Sequence, residues 1–554
     1  MHDPLLQFVK ACEEAVRSAL SKIALLVDDL QFSTPPEGMG DLALPCFRLS
    51  KRMGRSPAEI AKDLRSALEP SPYFACSVTG PYLNFAFSDT ALARALFDSL
   101  FALKNRFGSH PPKGTKVIIE HTSANPTDRL HVGRGRNPII GDTLARLMRA
   151  AGYSVETQYY VDDMGRQAAL KTLAVRHSKT YQWASAAAGE SQTTQDHDPA
   201  VKEEMERIIA GAERGEPGVI EEMSEVCAEV MRETIEPTLE KLGAKVDLYV
   251  TESRFVMDGS VKRVLDSLRS AALPQENGAL YMDMEGEKIF LCRADGTSLY
   301  PARDVAYHLW KLAQCDLAVN VLGEDHKLEA KAVETALRLL GSEKAPRVLF
   351  YAFVSLPEGK MSTRKGRAVF IDDLLDESVE RALKEVDTRR PELSCTKRER
   401  IAKAVGHAAV RYNIVRVQAE KPMIFKWEEA LNFEGNSAPF IQYAHARACS
   451  ILAKADAPER PQTLPGMHKS ELKLMRTLAH LPSTVSKCAL EMTPHPLASY
   501  AFALASDFNQ FYRDCRVLNA EDELRSFRLA LVQGTKWALG SVLDILGIEA
   551  LEEM

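Results

Sequence analysis

The 554-residue sequence has no uninterrupted apolar run of membrane-spanning length, so a helical membrane protein is not expected, nor a membrane partner. Its opening, MHDPLLQFVKACEEAV, carries acids inside the apolar pattern, unlike a secretory signal, and a cytoplasmic location follows as the expectation. Ten cysteines are scattered from Cys12 to Cys515 without one C-x-x-C pair. That spacing supports neither a zinc knuckle nor a disulfide framework, so no protein-bound zinc or other metal site is expected, only reduced buried thiols. Excess positive charge is missing too. A net charge of −6 argues against a general, nonspecific nucleic-acid binder but leaves local basic patches open. The phosphate loop G-x-x-x-x-G-K-[ST] is absent. What remains, 45% hydrophobic and 26% charged residues, is an ordinary soluble composition, and the length suggests about three or four domains.

The stretch from Val117 to Tyr160 is the most informative. Val117 to Ile119 form a short β-branched run of the buried parallel-strand type. A loop rich in Ser, Asn, Pro and Thr leads to His131-Val132-Gly133-Arg134. A helix should follow, with Ile140, Leu144, Leu147 and Met148 on one face and Gly152 ending it, and a second strand begins near Val155. Strand, polar turn, helix and strand make a βαβ unit, with the turn at the anion-attracting end of the helix. The dinucleotide fingerprint G-x-G-x-x-G begins at Gly133 and Gly135 but fails at Pro138, where a third glycine should pack helix on strand. A histidine able to donate to phosphate and a glycine permitting close approach survive. A surface loop entering an ordinary helix accounts for the tetrad equally well.

A second stretch, VSLPEGKMSTRKGRAVF over 354–370, centres on Lys360, Ser362 and Lys365. Three cations and two hydroxyls within six residues suit the charge that develops on a phosphoryl group, and also suit a solvated hairpin tip. Together, the H-x-G tetrad and the K-M-S stretch some 230 residues later resemble the two signature motifs of class I aminoacyl-tRNA synthetases. SANPT ahead of His131, GTSLYPARDVAYHLWK, FEGNSAPFIQYAHAR and the ending from FNQFYRDCRVL to LGIEA narrow the resemblance to the arginyl-tRNA synthetase family, over nearly the whole chain. Two positions depart from the class pattern: Arg134 stands where His or Asn is usual, and Thr363 replaces the second lysine, with Lys365 two residues on. A synthetase for another amino acid, a dinucleotide-dependent oxidoreductase and a noncatalytic tRNA-binding relative are the rivals.

The resemblance implies an α/β fold: a Rossmann-type, doubly wound parallel-sheet catalytic domain with an N-terminal α+β module and a C-terminal all-α anticodon-binding bundle. Boundaries are expected at 1–112, 113–387 with a mainly helical insertion over about 167–285, and 388–554. The implied reaction joins L-arginine to tRNA(Arg) through arginyl-adenylate, with ATP as substrate and Mg2+ accompanying it, in a protein expected to be a monomer. His131, Gly133, Lys360, Ser362 and Lys365 are implied in catalysis. ATP is assigned to His131, Gly133, Arg134 and Lys360, with Glu324, Asp325 and His326 at a strand end where ligands of such sheets gather. For arginine the implied residues are Ser123, Asn125, Tyr300 and Asp304, the last two sharing a helical face by their spacing of four. Relatives place a Glu and an Asn at positions aligned here with Ser154 and Tyr159.

For tRNA, Tyr82 and Asn84 lie two apart on a strand, so one aromatic and one amide share a face, and the resemblance assigns such a pair to the tRNA elbow. A basic run from Arg389 to Arg416, including Lys397, Arg398 and Arg400, is opposed in sequence only by Glu392 and Glu399 and suits a phosphate backbone. Phe511 and Tyr512, in the helical C-terminal region, are candidates for stacking on anticodon bases.

Overall fold

A computed structural model describes residues 3–23, 30–36, 38–126, 129–178, 199–271, 273–355 and 370–554. The K-M-S stretch, with Lys360, Ser362 and Lys365, lies outside the described residues.

At the centre is a five-stranded parallel sheet in the order Arg347–Tyr351, Leu317–Gly323, Lys116–Glu120, Ser154–Val161, Leu248–Thr251. Successive side chains of a strand point to opposite faces, and both faces are covered. Val117 and Ile119 enter one core with the helix Arg136–Ala150, while Ile118 enters another with the helix Tyr300–Leu312. The order reverses about Lys116–Glu120: the next strand in sequence lies on one side and Leu317–Gly323 on the other. Ligands of open α/β sheets bind at such a switch point, outside the carboxyl ends of the strands.

The stretch expected as an insertion is only partly one. Helices Arg166–Ser178, Pro199–Glu213 and Pro217–Val230 build their own small core around Met164, Leu173, Met205 and Met223. Leu248–Thr251, however, pairs with Gln158–Val161 as the edge strand of the central sheet, and a meander over Gln275–Phe290 follows.

The N-terminal module packs helices on a three-stranded antiparallel sheet with Tyr82–Phe87 in the middle. Its helix Asp89–Leu103 docks on the C-terminal bundle. Phe97 meets Phe527 at 5.7 Å and Phe101 meets Trp537 at 5.2 Å. A Cβ at Gly534 would stand 2.5 Å from the Leu100 side chain, so glycine sets how closely the two approach. Arg476 of the bundle bridges Asp41 and Asp89 of the module at 2.9 and 2.6 Å. The bundle itself is all helix, from Cys395–Val415 to Asp522–Ile545, apart from the two-residue strand Met423–Ile424. Among the described residues no helix is long and apolar enough to cross a membrane.

Candidate functional site

His131 ends an extended stretch and caps the short 3-10 turn Val132–Arg134, which runs into the helix Arg136–Ala150. The Gly133 N–H donates to His131 Nδ1 at 3.0 Å. With Nδ1 accepting, the neutral ring carries its proton on Nε2, free to donate to a phosphate oxygen. Burial and the nearby Arg134 charge push the imidazole below its ordinary range, which favours that neutral form. A Cβ at Gly133 would come within 3.1 Å of Nδ1 and displace the ring. His131 and Arg134 are both exposed at the mouth of the crevice.

Both ends of the stretch that carries Lys360 meet this tetrad. Phe370 forms an antiparallel bridge with His131, and the Ile371 N–H donates to the Leu130 carbonyl at 2.8 Å. On the other side, the buried Arg136 guanidinium holds the carbonyls of Ala352 at 2.7 Å, Lys421 at 2.8 Å and Gln418 at 3.0 Å. Val354–Ser355 then pairs with Met423–Ile424. Across the switch point, Glu324–His326 form an exposed turn at the end of Leu317–Gly323.

Of the residues implied for arginine, Tyr300 and Asp304 line one cavity, and Ser123 reaches its Glu120 wall. Tyr300 starts its helix and Asp304 sits one turn later, so the shared face is present. A cavity there is lined by Glu120, Tyr300, Asp304, His308, Asn320 and His326, which reaches the Glu324–His326 turn. A polar relay runs behind it. Ser123 Oγ donates to Glu120 at 3.1 Å, and the buried Lys311 ammonium meets Glu120 at 2.6 Å and the Asn320 carbonyl oxygen at 2.8 Å. His308 Nε2 lies 2.7 Å from the Asn320 amide nitrogen and 3.3 Å from Lys311 Nζ, while Nδ1 lies 2.8 Å from the Asp304 backbone carbonyl and 3.1 Å from its carboxylate. Lys311 can only donate, so Nε2 accepts and the ring proton sits on Nδ1, donated to the Asp304 backbone carbonyl. The Asp304 charge, with burial, pushes the Tyr300 phenol well up. Arg303, the neighbour in sequence best placed to neutralise Asp304, pairs instead with the buried Glu252 at 2.5 Å.

Ser123 is held in an unusual conformation. Thr122 and Ser123 both have positive φ, 71° and 36°, which costs about 1–3 kcal/mol per residue. Three bonds hold the kink: Asn137 accepts from the Thr122 N–H at 2.7 Å, Ser123 Oγ accepts from the Tyr160 N–H at 3.1 Å, and Tyr159 donates to the Ala124 carbonyl at 2.7 Å. Asn125 lies just beyond, its amide donating to Gln167 at 2.9 Å. Of the two positions aligned with the relatives' additional contacts, Ser154 sits at the start of its strand, the end remote from the cavity, and Tyr159 is spent on this kink. Glu120, Lys311 and Arg136 escaped the sequence reading. Only Glu120 left a signal, as an acid at the carboxyl end of the central strand.

Comparison with known proteins gives the family. The family description "tRNA synthetases class I (R), catalytic domain" matches residues 97–427, "Arginyl tRNA synthetase N terminal domain" matches 10–87, and "DALR anticodon binding domain" matches 441–554. The arginine--tRNA ligase of Methanocella arvoryzae is 44% identical, covering 99% of this chain and 100% of its own, and that of Methanothermobacter thermautotrophicus is 40% identical over 98% and 99%. The chain belongs to the arginyl-tRNA synthetase family. The Thermus thermophilus arginyl-tRNA synthetase structure superposes with a TM-score of 0.77 at 31% identity, covering 98% of this chain and 100% of its own.

The residues expected to meet tRNA fare unevenly. Tyr82 is exposed and packs edge-on against Phe47 at 5.7 Å, whereas Asn84 is buried mid-sheet with its amide donating to Thr79 at 3.2 Å. The shared face exists, but Asn84 has little edge left to offer, because its strand is flanked on both sides. The basic run is not a free cationic stripe. Lys397 pairs with Glu553 at 3.1 Å, Arg398 with Asp387 at 3.3 Å and Arg400 with Glu549 at 3.0 Å, while Arg411 is buried. Two of these acids, Glu549 and Glu553, fold in from 149 and 156 residues away, while Asp387 is close in sequence. Phe511 is fully buried beside Phe508 and cannot reach a base, while its neighbour Tyr512 is exposed. The Arg447 guanidinium lies over the rings of both Tyr443 and Tyr512, at 4.7 and 5.2 Å, in a cavity that Arg390, Lys454 and Arg516 also line.

Proposed function

We propose that the protein ligates L-arginine to tRNA(Arg) at the expense of ATP, and that the crevice at the switch point carries both half-reactions. The arginine carboxylate attacks the α-phosphate and pyrophosphate leaves. A ribose hydroxyl of the terminal adenosine, the 2′-OH in this class, then takes the arginyl group. Neither step needs a protein nucleophile, so alignment and charge stabilisation suffice. The observation that carries this reading is the acid-lined cavity of Asp304 and Glu120, which reaches His326 at the carboxyl end of the strand beside Lys116–Glu120.

In that site Asp304, with Tyr300, takes the guanidinium, because a carboxylate offers a planar cation two parallel bonds. Ser123 and Asn125 take the amino-acid end. His131 Nε2–H and the Gly133 turn hold ATP phosphates, with Arg134 and Glu324–His326 at the rim. Lys360, Ser362 and Lys365 complete the charge clamp from the segment whose two ends adjoin the tetrad. Mg2+ arrives on the ATP phosphates as part of the substrate. Tyr443, Arg447 and Tyr512 form a platform for unstacked anticodon bases, since aromatic rings and a guanidinium plane both stack on any base. Tyr82 takes the elbow. The protein acts as a cytoplasmic monomer.

Arginine-dependent exchange of pyrophosphate into ATP tests the assignment. Exchange near background without tRNA and clear on adding tRNA(Arg) is the expected result, through a bound tRNA biasing the active site toward its competent state. Exchange with another amino acid and none with arginine overturns the reading.

A further inference from the structure

The helix Arg136–Ala150 has an apolar face in sequence, yet its polar side is buried as well. Asp142 and Thr143 are each at most 1% exposed. What covers them is Arg411 of the helix Cys395–Val415, itself 1% exposed. Its guanidinium donates to the Asp142 carboxylate at 2.6 Å, to Thr143 Oγ1 at 3.3 Å, to the Leu546 carbonyl at 3.1 Å and to the Leu242 carbonyl. Arg146 reinforces the same point, reaching Asp142 at 2.8 Å, the Gly243 carbonyl at 3.0 Å and the Asp544 carbonyl at 3.2 Å.

The two carbonyls on Arg411 are not arbitrary. Leu242 is the last residue of the helix Glu236–Leu242, and Leu546 caps the helix Asp522–Ile545. Helix C-termini leave carbonyls unpaired and carry partial negative charge, so guanidinium groups suit them. One end belongs to the region inserted in the catalytic sheet, the other to the domain matched as anticodon-binding. Gly547 turns with φ +69°, and a Cβ there would lie 2.1 Å from Arg411 Nη2, so the chain passes against the guanidinium itself. Apolar contacts tolerate sliding. A planar cation with four fixed acceptors does not, and breaking it strands a buried charge.

We propose that the Arg411–Asp142 joint is the positioning element through which the C-terminal bundle sets the His131 helix for adenylate formation. Asp142 and the His131 tetrad sit on one continuous helical segment, so a displacement of the terminal bundle helix carried by Leu546 and Asp544 is delivered to the ATP motif. The inference rests on the functional reading above.

The test measures kcat and KM for arginylation with tRNA(Arg) and with the same transcript altered in its anticodon. It compares the wild type with Arg411→Lys and Asp142→Asn. In the wild type the altered anticodon lowers kcat, by about 5- to 150-fold for a coupling of ordinary size. Lysine keeps the charge but reaches only some of the four acceptors. In Arg411→Lys the kcat ratio between the two transcripts collapses to within about threefold, while KM for arginine stays within about twofold. A merely structural role lowers kcat for both transcripts alike and preserves the ratio. That result, or a wild type whose kcat ignores the anticodon, overturns the proposal. If neither variant folds by circular dichroism, Arg146→Met, which removes only the outer guanidinium, supplies the same ratio. A wild type that arginylates neither transcript overturns the functional reading first and this inference with it.

Discussion

Asp304→Asn is the sharpest perturbation the arginine cavity allows. Asparagine keeps the shape, and the His308 Nδ1 bond goes to the Asp304 backbone carbonyl at 2.8 Å, which the change leaves in place, so the fold around it should hold. What changes is charge. The Glu120 charge is met by the Lys311 ammonium at 2.6 Å, and Arg303 is spent on Glu252. The Asp304 carboxylate lines the cavity, so it is available to a cationic substrate. A hydrogen bond to a charged group is worth about 1.5–3 kcal/mol, and each 1.4 kcal/mol is a factor of about ten. KM for arginine in tRNA-supported pyrophosphate exchange should therefore rise roughly 10- to 150-fold. KM for ATP should stay within about twofold, because no residue of the His131 tetrad lines the Asp304 cavity. An arginine KM within about twofold of wild type refutes the reasoning and moves the recognising carboxylate elsewhere in the acid cluster, to Glu120 or Asp325.

Other outcomes follow from the same geometry. His131→Ala and Lys360→Ala should each slow adenylate formation by about 10²–10³ in single-turnover assays with little change in arginine affinity, as expected for one charge-stabilising donor; near wild-type turnover in both contradicts the motif assignment. Tyr512→Ala should weaken tRNA binding by about 1–3 kcal/mol with thermal stability intact, whereas its neighbour Phe511→Ala should cost about 3–5 kcal/mol of stability, read by denaturant unfolding. Acid should loosen the fold: burial holds the His121, His445 and His480 imidazoles below their ordinary value of 6.5, so the unfolded chain binds protons that the native one refuses. Their contribution is fully present above the ordinary value and is lost as pH falls below it, and an unfolding free energy that stays flat from about pH 7.5 to about pH 5.5 contradicts this.

How much of this was legible depended on whether the signal was local. The βαβ unit, the tetrad and the Tyr300–Asp304 spacing are local patterns, and the structure shows the tetrad turn before its helix and Tyr300 and Asp304 lining one cavity. The charged run at Lys397–Arg400 reads as unopposed in sequence because two of its counter-charges, Glu549 and Glu553, are distant along the chain. Phe511 and Tyr512 are adjacent on one helix, and composition alone does not say which turns outward; the structure buries the ring without a hydroxyl and exposes the one with it. Asn84 shares a face with Tyr82 as the strand period requires, but only topology reveals that its strand is central. Leu248–Thr251 is too short to distinguish from a break between helices until it pairs with the sheet. Arg136 and Arg411 read as ordinary helix cations, since nothing nearby announces carbonyls arriving from Ala352, Lys421, Leu242 and Leu546.

The most direct measurement of the central claim is aminoacylation itself: purified protein, ATP, Mg2+ and tRNA(Arg), with each amino acid supplied in turn. The account predicts that arginine alone becomes attached to the tRNA, with AMP and pyrophosphate released in equal amounts, and that Asp304→Asn depresses charging at low but not at saturating arginine. Charging with a different amino acid, or ATP consumption without any arginyl-tRNA, contradicts it.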